Sequence, residues 1–318
     1  MALTLITGGA GFIGSHLAAA IAGSGEHVRI LDNFSSGSRE TAQWLTKRFP
    51  DRIELREGDI RDRDVCRAAC RGVSYVLHEA ALASVPQSMD DPELCADVNV
   101  GGTVTVLKAA REAGDVRRLV FASSCAVYGD TDALPISEDA PIKPLSPYAS
   151  SKFAGELFCR DFSRLLGLET VVLRYFNVYG ERQSPRGAYA AVIPKFVEAM
   201  RQGRRPVIFG DGEQTRDFVF VGDVVRANLL ACSVPSARAD GGAYNIAGGV
   251  ETSLNELYAH LAEIIGSKLE PERRPSRAGD ISRSFAEVER AQAALGFTAQ
   301  MPIHEGLRRV AGSVGAAR

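Results

Sequence analysis

No apolar run in this sequence approaches the roughly 20 residues that a membrane-crossing helix needs. The opening MALTLITGG carries neither a basic leader nor a long apolar core. Both absences predict a cytoplasmic protein. The six cysteines (Cys66, Cys70, Cys95, Cys125, Cys159 and Cys232) form no CxxC pair and no Cys–His metal spacing. They are expected to be reduced and mostly buried, and no metal is expected. An excess of one charge is also missing: 37 Lys and Arg stand against 39 Asp and Glu, a formal net charge of -2. Nothing therefore points to a nucleic-acid or membrane-surface partner. Pairs such as Arg204–Arg205 and Arg273–Arg274 read as solvated faces or anion contacts. There is no internal repeat and no low-complexity stretch.

What is present is alternation. Strand-like runs at 3–7, 27–32, 53–59, 75–81, 118–124 and 170–178 are separated by helical patterns at 12–22, 38–48, 62–71, 92–113 and 149–166. The runs are nearly all apolar, as in strands covered on both faces. Strand–helix–strand repetition of this kind predicts an α/β fold, a Rossmann-type doubly wound parallel sheet. After about residue 180 the rhythm loosens. Helices are expected at 191–203, 224–232, 253–265, 287–295 and 303–313, and a strand at 244–248. The expected organisation is a dinucleotide-binding domain over 1–178, to which 217–248 returns in part. A smaller C-terminal substrate-binding lobe takes 179–216 and 249–318.

The first strand runs into GGAGFIG, which places Gly8, Gly11 and Gly14 in a GxxGxxG pattern, with Phe12 and Ile13 opening a helix. Glycines permit a sharp turn and close approach to a pyrophosphate, and the helix N-terminus offers N–H groups to it. Asp32 ends the next strand, with Asn33 beside it, at the spacing of a ribose-binding carboxylate. Such a carboxylate repels a 2′-phosphate, so NAD is expected as cofactor. Arg39 and Ser36 keep NADP open. Asp59 and Ile60 close the third strand, where they would meet an adenine. The alternative there is a plain turn.

Tyr148 and Lys152, in PYASSKFAGE, stand one helical turn apart. Alone, they read more simply as a surface pair on an amphipathic helix. The order of features changes that: a dinucleotide turn, then FASSCAVYG at 121–129, then this motif. It resembles the extended short-chain dehydrogenase/reductase superfamily. The resemblance implies a catalytic set of Ser124, Tyr148 and Lys152. Tyr148 would be acid and base, and Lys152 would favour its phenolate and hold the nicotinamide ribose. Ser124 would donate a hydrogen bond to the reacting oxygen.

HEAALASVPQSMDDP (78–92), NVGGTV (99–104), LRYFNVYGERQSP (173–185) and GDGEQTRDFVFVGDV (210–224) resemble the NAD-dependent epimerase/dehydratase family over nearly the whole chain. Cofactor contacts at Ala80, Ala81 and Asn99 are implied. So are substrate contacts at Ser84, Asn177, Ala191, Val192, Arg216, Arg277, Asp280 and Ser284, the two arginines clamping a diphosphate. Dehydratases of the family carry an Asp–Glu pair after the serine. Here Cys125 and Ala126 follow it, so 4-epimerisation of a UDP-hexose is expected over 4,6-dehydration. A uronate decarboxylase is not excluded by the sequence. AALASVPQS and GAYAAVIPKF resemble the subgroup acting on N-acetylated UDP-hexosamines. A small Ser284 would leave room for the acetamide, which implies UDP-GlcNAc/UDP-GalNAc with UDP-Glc/UDP-Gal as second activity. Arg182 and Arg186 keep UDP-glucuronate as an alternative, and a non-catalytic NAD-binding sensor is the alternative of another class. Glu79 has no assigned role. By resemblance, helices 92–113 and 149–166 form a homodimer interface, with Phe153, Leu157, Phe158, Phe162 and Leu165 supplying apolar faces.

Overall fold

The computed structural model describes residues 2–185, 191–235, 238, 240–276 and 281–313. The first half alternates strictly: β1 (Leu3–Thr7), α1 (Phe12–Gly23), β2 (His27–Asp32), α2 (Arg39–Arg48), β3 (Ile53–Glu57), α3 (Arg63–Cys70) and β4 (Tyr75–His78). Next come α4 (Val85–Asp90), α5 (Pro92–Ala96), a π-helical turn at Asp97–Gly102 and α6 (Thr103–Ala113). β5 (Arg118–Ser124) follows, then a 3-10 turn at Cys125–Tyr128, α7 (Pro147–Leu166) and β6 (Glu169–Tyr175). The second half holds β7 (Asn177–Tyr179), α8 (Val192–Arg201), β8 (Val207–Phe209), β9 (Thr215–Phe220), α9 (Val221–Ser233) and β10 (Asp240–Ile246). It closes with β11 (Glu251–Ser253), α10 (Leu254–Ile265), β12 (Glu272–Arg274), α11 (Glu289–Leu295) and α12 (Ile303–Ser313).

Seven strands form one sheet in the order β10-β6-β5-β4-β1-β2-β3, and every pairing in it is parallel. The order reverses between β1 and β4, so a crevice opens at their carboxyl ends. Successive strand residues bury opposite ways. Ile6 and Ile30 join one core with Leu17 and Leu45 of the helices above. Leu5 and Leu31 join another with Cys66, Cys70 and Leu107 below. This two-sided burial explains why the strands read as unbroken apolar runs.

The run 170–178 is two strands rather than one. After Tyr175 the chain leaves the large sheet, and Asn177 pairs with Phe218 of β9 in a three-stranded sheet of the lobe. Apolar patterning continues across the break because both sheets have cores. The lobe's own core joins Tyr179, Phe196, Phe218, Phe220, Leu257, Leu261 and Leu307. Within 217–248, β9 stays with the lobe, while α9 packs against α1 and β10 becomes the edge strand beside β6. No helix among the described residues is long and apolar enough to cross a membrane.

Candidate functional site

The glycine turn is built for close approach. Gly8 has φ of 69°, and a Cβ there would lie 2.8 Å from the Ala80 backbone nitrogen. A Cβ on Gly14 would come within 2.3 Å of the Gly8 carbonyl oxygen. Gly11 caps α1 without any side-chain bond to its first N–H groups, so the positive end of the helix is bare. Phe12 and Ile13, which open the helix, rest against the core of the lobe. The cradle has the shape and donors a pyrophosphate requires.

Asp32 is tied to that turn. Its carboxylate accepts from the backbone of Ala10 at 2.9 Å and of Phe34 at 2.8 Å. Burial raises its pKa, and the two N–H donors work against that rise. A carboxylate has about four acceptor positions, so two N–H bonds leave capacity for a ribose diol. Asn33 donates to Asp59 at 2.9 Å, and Asp59 pairs with Arg61 at 2.8 Å, which holds the Asp59 carboxyl well below its usual range. Ile60, the next residue, is buried in the core with Leu31 and Cys66. Arg39 does not wait for a 2′-phosphate. Its guanidinium bonds both oxygens of Glu57, at 2.9 and 2.6 Å, and lies 4.2 Å from the centre of the Phe34 ring. These residues fit NAD.

Ala80 and Ala81 follow β4 across the crevice, where Ala80 N–H reaches Thr7 Oγ1 at 3.3 Å. Asn99 does not face the crevice with a free amide. Its oxygen accepts from Leu82 N at 2.7 Å, and its nitrogen donates to Leu82 O at 3.0 Å and Ser151 Oγ at 2.9 Å. It therefore sets the loop after β4 and braces α7. Ser84 caps α4 by accepting from Gln87 N at 3.2 Å. That helix has no counterpart in the sequence reading, being a single short turn around Pro86. Its Ser88 hydroxyl accepts from Tyr148 N at 3.1 Å and so anchors the start of α7.

Ser124, Tyr148 and Lys152 come together. Ser146 caps α7 at Ala149 N, and Pro147 opens the helix. This directs Tyr148 to the end of β5, where its phenol hydrogen-bonds Ser124. Lys152 is buried one turn on and donates to Ala122 O at 2.7 Å. Burial pushes the Tyr148 phenol up to about 12, with the Ser124 bond opposing and the Glu79 charge adding to the rise. Burial also lowers Lys152 to about 8, against the pull of Glu79. The expected lowering of Tyr148 by Lys152 is thus outweighed: the lysine is turned to a backbone carbonyl, its nitrogen 6.0 Å from the phenol ring centre. Glu79 now has partners. It accepts from Tyr175 OH at 2.9 Å, and Tyr175 accepts from Asn228 at 2.7 Å. Burial raises Glu79 to about 7, opposed by the Tyr175 bond and the charge of Lys152.

Beyond this set the lobe holds a cavity of about 600 Å³, lined by Asn177, Ala191, Val192, Phe209 and Arg216 among others. Ser124 pairs with Tyr175 across the sheet, and Asn177 follows two residues later, so the two regions adjoin. Cys125 feels the charges of Asp217 and Arg216 from the lobe side. Arg216 donates to Thr215 O and Ile281 O, both at 2.7 Å. Lys195, Arg204, Arg205 and Arg274 also line the wall, and sequence reading had not singled them out as substrate contacts. Their signal was the paired arginines, whose facing is set only by the β8–β12 pairing. Ser284 is buried and is not in the wall among the described residues. Arg182 is not in the wall either. It donates to Ser15 Oγ at 3.1 Å and lies 4.9 Å from the Trp44 ring centre. That placement removes the support it lent to a hexuronate. Arg186, Arg277 and Asp280 lie outside the described residues.

The NAD dependent epimerase/dehydratase family matches residues 4–247. A UDP-glucose 4-epimerase of Mycolicibacterium smegmatis is 43% identical over 96% of both chains. The solved UDP-glucose 4-epimerase of Thermotoga maritima with UDP-glucose is 36% identical, with a TM-score of 0.91 over 98% of each chain. The UDP-N-acetylglucosamine 4-epimerase of Methanobrevibacter ruminantium, in complex with UDP-N-acetylmuramic acid, is 34% identical, with a TM-score of 0.92 over 98% of each.

Proposed function

The chain belongs to the NAD-dependent epimerase/dehydratase family, and from that premise we propose that it is a 4-epimerase of UDP-hexoses. The observation that carries the reading is the assembly of Ser124, Tyr148 and Lys152 beside a cationic cavity, with Cys125 and Ala126 where an acid pair would serve dehydration. The family relatives above are named as 4-epimerases, which supports the same reaction.

When bound in the crevice, NAD would supply the hydride acceptor and donor that the sugar C4 needs. Tyr148 takes the proton of the 4-hydroxyl and gives it back. Its phenol is protonated at neutral pH in the free protein, so it becomes a base only when positive charge is brought to the site. Ser124 donates to the same oxygen, and Lys152 fixes the helix turn that carries the phenol. Arg216 and Arg274 would grip the diphosphate, leaving the hexose free to present its second face. Gly8, Gly11, Gly14, Asp32, Ala80 and Ala81 would hold NAD. Asn99 acts at one remove, through the loop at Leu82.

Among hexoses, UDP-GlcNAc/UDP-GalNAc is the preferred pair in this reading, with UDP-Glc/UDP-Gal second. The resemblance of AALASVPQS and AVIPKF supports it, as does the N-acetylglucosamine epimerase among the solved relatives. The test is the ratio of kcat/KM for UDP-GlcNAc and UDP-Glc. A ratio below one overturns the preference while leaving the reaction intact. The unpaired thiols support a reducing compartment, the cytoplasm.

The assembly in this reading is a homodimer through the 92–113 and 149–166 helices. Phe162 is buried in the sheet core, while Phe158 and Phe153 are partly buried against that core and a neighbouring cluster. Leu165 remains 76% exposed. Light scattering on wild type and Leu165→Glu tests this: the variant should shift towards monomer.

A further inference from the structure

The chain brings two imidazoles and a carboxylate together far from the cofactor crevice. His260 and Glu263 lie one turn apart on α10, and His304 is the second residue of α12. Their ligating atoms all fall within 4.8 Å of one another. The two rings stand edge to face with centroids 5.4 Å apart, and His304 Nε2 is 4.0 Å from Glu263 Oε2. We propose that His260, Glu263 and His304 form a binding site for a borderline divalent metal ion of the Zn²⁺ type, which ties α10 to α12.

The ligand set selects the ion. Two imidazole nitrogens with one carboxylate suit Zn²⁺, Ni²⁺ or Cu²⁺, whereas Mg²⁺ and Ca²⁺ want oxygen. Ligands about 2.0–2.2 Å from a tetrahedral ion stand roughly 3.4 Å apart. The observed spread is wider by little more than an ångström. Glu263 is exposed and the histidines half-buried, so their side-chain torsions are the freedoms by which the three groups would close on an ion.

The frame is rigid. Leu257 and Leu261 of α10 pack with Leu307 and Val310 of α12 in the core of the lobe, and the two half-buried histidines sit at the rim of that contact. Ser253 and Glu256 cap α10 reciprocally and fix its start. Three protein ligands leave at least one position for water, so the site is an open, exchangeable one. The site shares a helix with the cavity, since Leu254, the first residue of α10, lines the cavity. No sequence spacing signals the site, since His304 arrives from a separate helix.

The test uses the full chain without an affinity tag, titrated with ZnCl2 by calorimetry and followed by thermal melting with and without the ion. One Zn²⁺ per chain is expected. At a hundredfold excess over its Kd, Tm should rise by about 4 °C. Loss of an outer-shell partner alone costs about 10–100-fold, so His260→Ala and His304→Ala should each weaken binding at least about tenfold. An unchanged metal-free Tm in His304→Gln separates ligand loss from misfolding. Absence of binding in the wild type, or wild-type affinity retained in both histidine variants, overturns the proposal.

Discussion

Lys152 Nζ lies 2.7 Å from the Ala122 carbonyl and 6.0 Å from the centre of the Tyr148 ring. The ammonium is anchored on β5 and is not paired with the phenol. Tyr148 is therefore held as a neutral acid by burial, and its removal should cost chemistry rather than structure. Tyr148→Phe is expected to lower kcat by about 10²–10⁴-fold. NAD binding, measured by calorimetry, should stay within about threefold. Loss of the Ser124 bond should lower stability by only about 1 kcal/mol.

Glu79 gives a pH signature. Its pKa in the folded chain is about 7, raised from 4.5. The folded state therefore keeps this proton to higher pH than the unfolded state does. The associated stability is fully present below about pH 4.5, falls as pH rises to about 7, and is absent above it. Glu79→Gln keeps an acceptor for Tyr175 and removes the titration. Its Tm relative to wild type should climb between pH 5 and pH 8. Parallel curves across that range would show that Glu79 ionises normally.

The two ends of α1 predict opposite outcomes for the same substitution. Alanine at Gly14 would press a Cβ to 2.3 Å from the Gly8 oxygen, so Gly14→Ala should cost about 1–3 kcal/mol and abolish NAD binding. At Gly23 the nearest atom to a Cβ is Phe49 Cζ at 4.0 Å. There alanine should stabilise by about 0.5–1 kcal/mol and leave NAD affinity unchanged. Paired melts and NAD titrations check both.

Arg216 and Arg274 line the cavity of the lobe, away from the phenol. Each alanine variant should raise KM for a UDP-hexose about tenfold or more while changing kcat little, as expected for contacts made equally in ground and transition states. A fall in kcat with unchanged KM would place the diphosphate elsewhere. Steady-state kinetics on both variants decide it.

Local patterns carried much of this protein into view. Asp32 was legible because a strand end and a fixed spacing from the glycines suffice to place it. One helical turn sufficed to read Tyr148 and Lys152 as neighbours, while their proposed roles came from the resemblance of the surrounding motifs. Asn99 was only half legible: its motif pointed to the cofactor, yet its amide is consumed by Leu82 and Ser151, the latter 52 residues away. Lys152's backbone partner was hidden for the same reason, since its bond spans two elements. The 170–178 run concealed a change of sheet because hydrophobic patterning is blind to which sheet a strand joins. The cavity arginines depended on a lobe pairing, β8 with β12, that short strands do not announce.

Proton NMR of the anomeric region tests the central claim most directly, with the protein and NAD+ incubated separately with UDP-GlcNAc, UDP-Glc and UDP-GlcA in D₂O. The account predicts new signals of the 4-epimer from UDP-GlcNAc first and UDP-Glc second, with no deuterium at C4, because the hydrogen removed there returns without exchanging. No epimer from any UDP-hexose, or deuterium at C4, would contradict it.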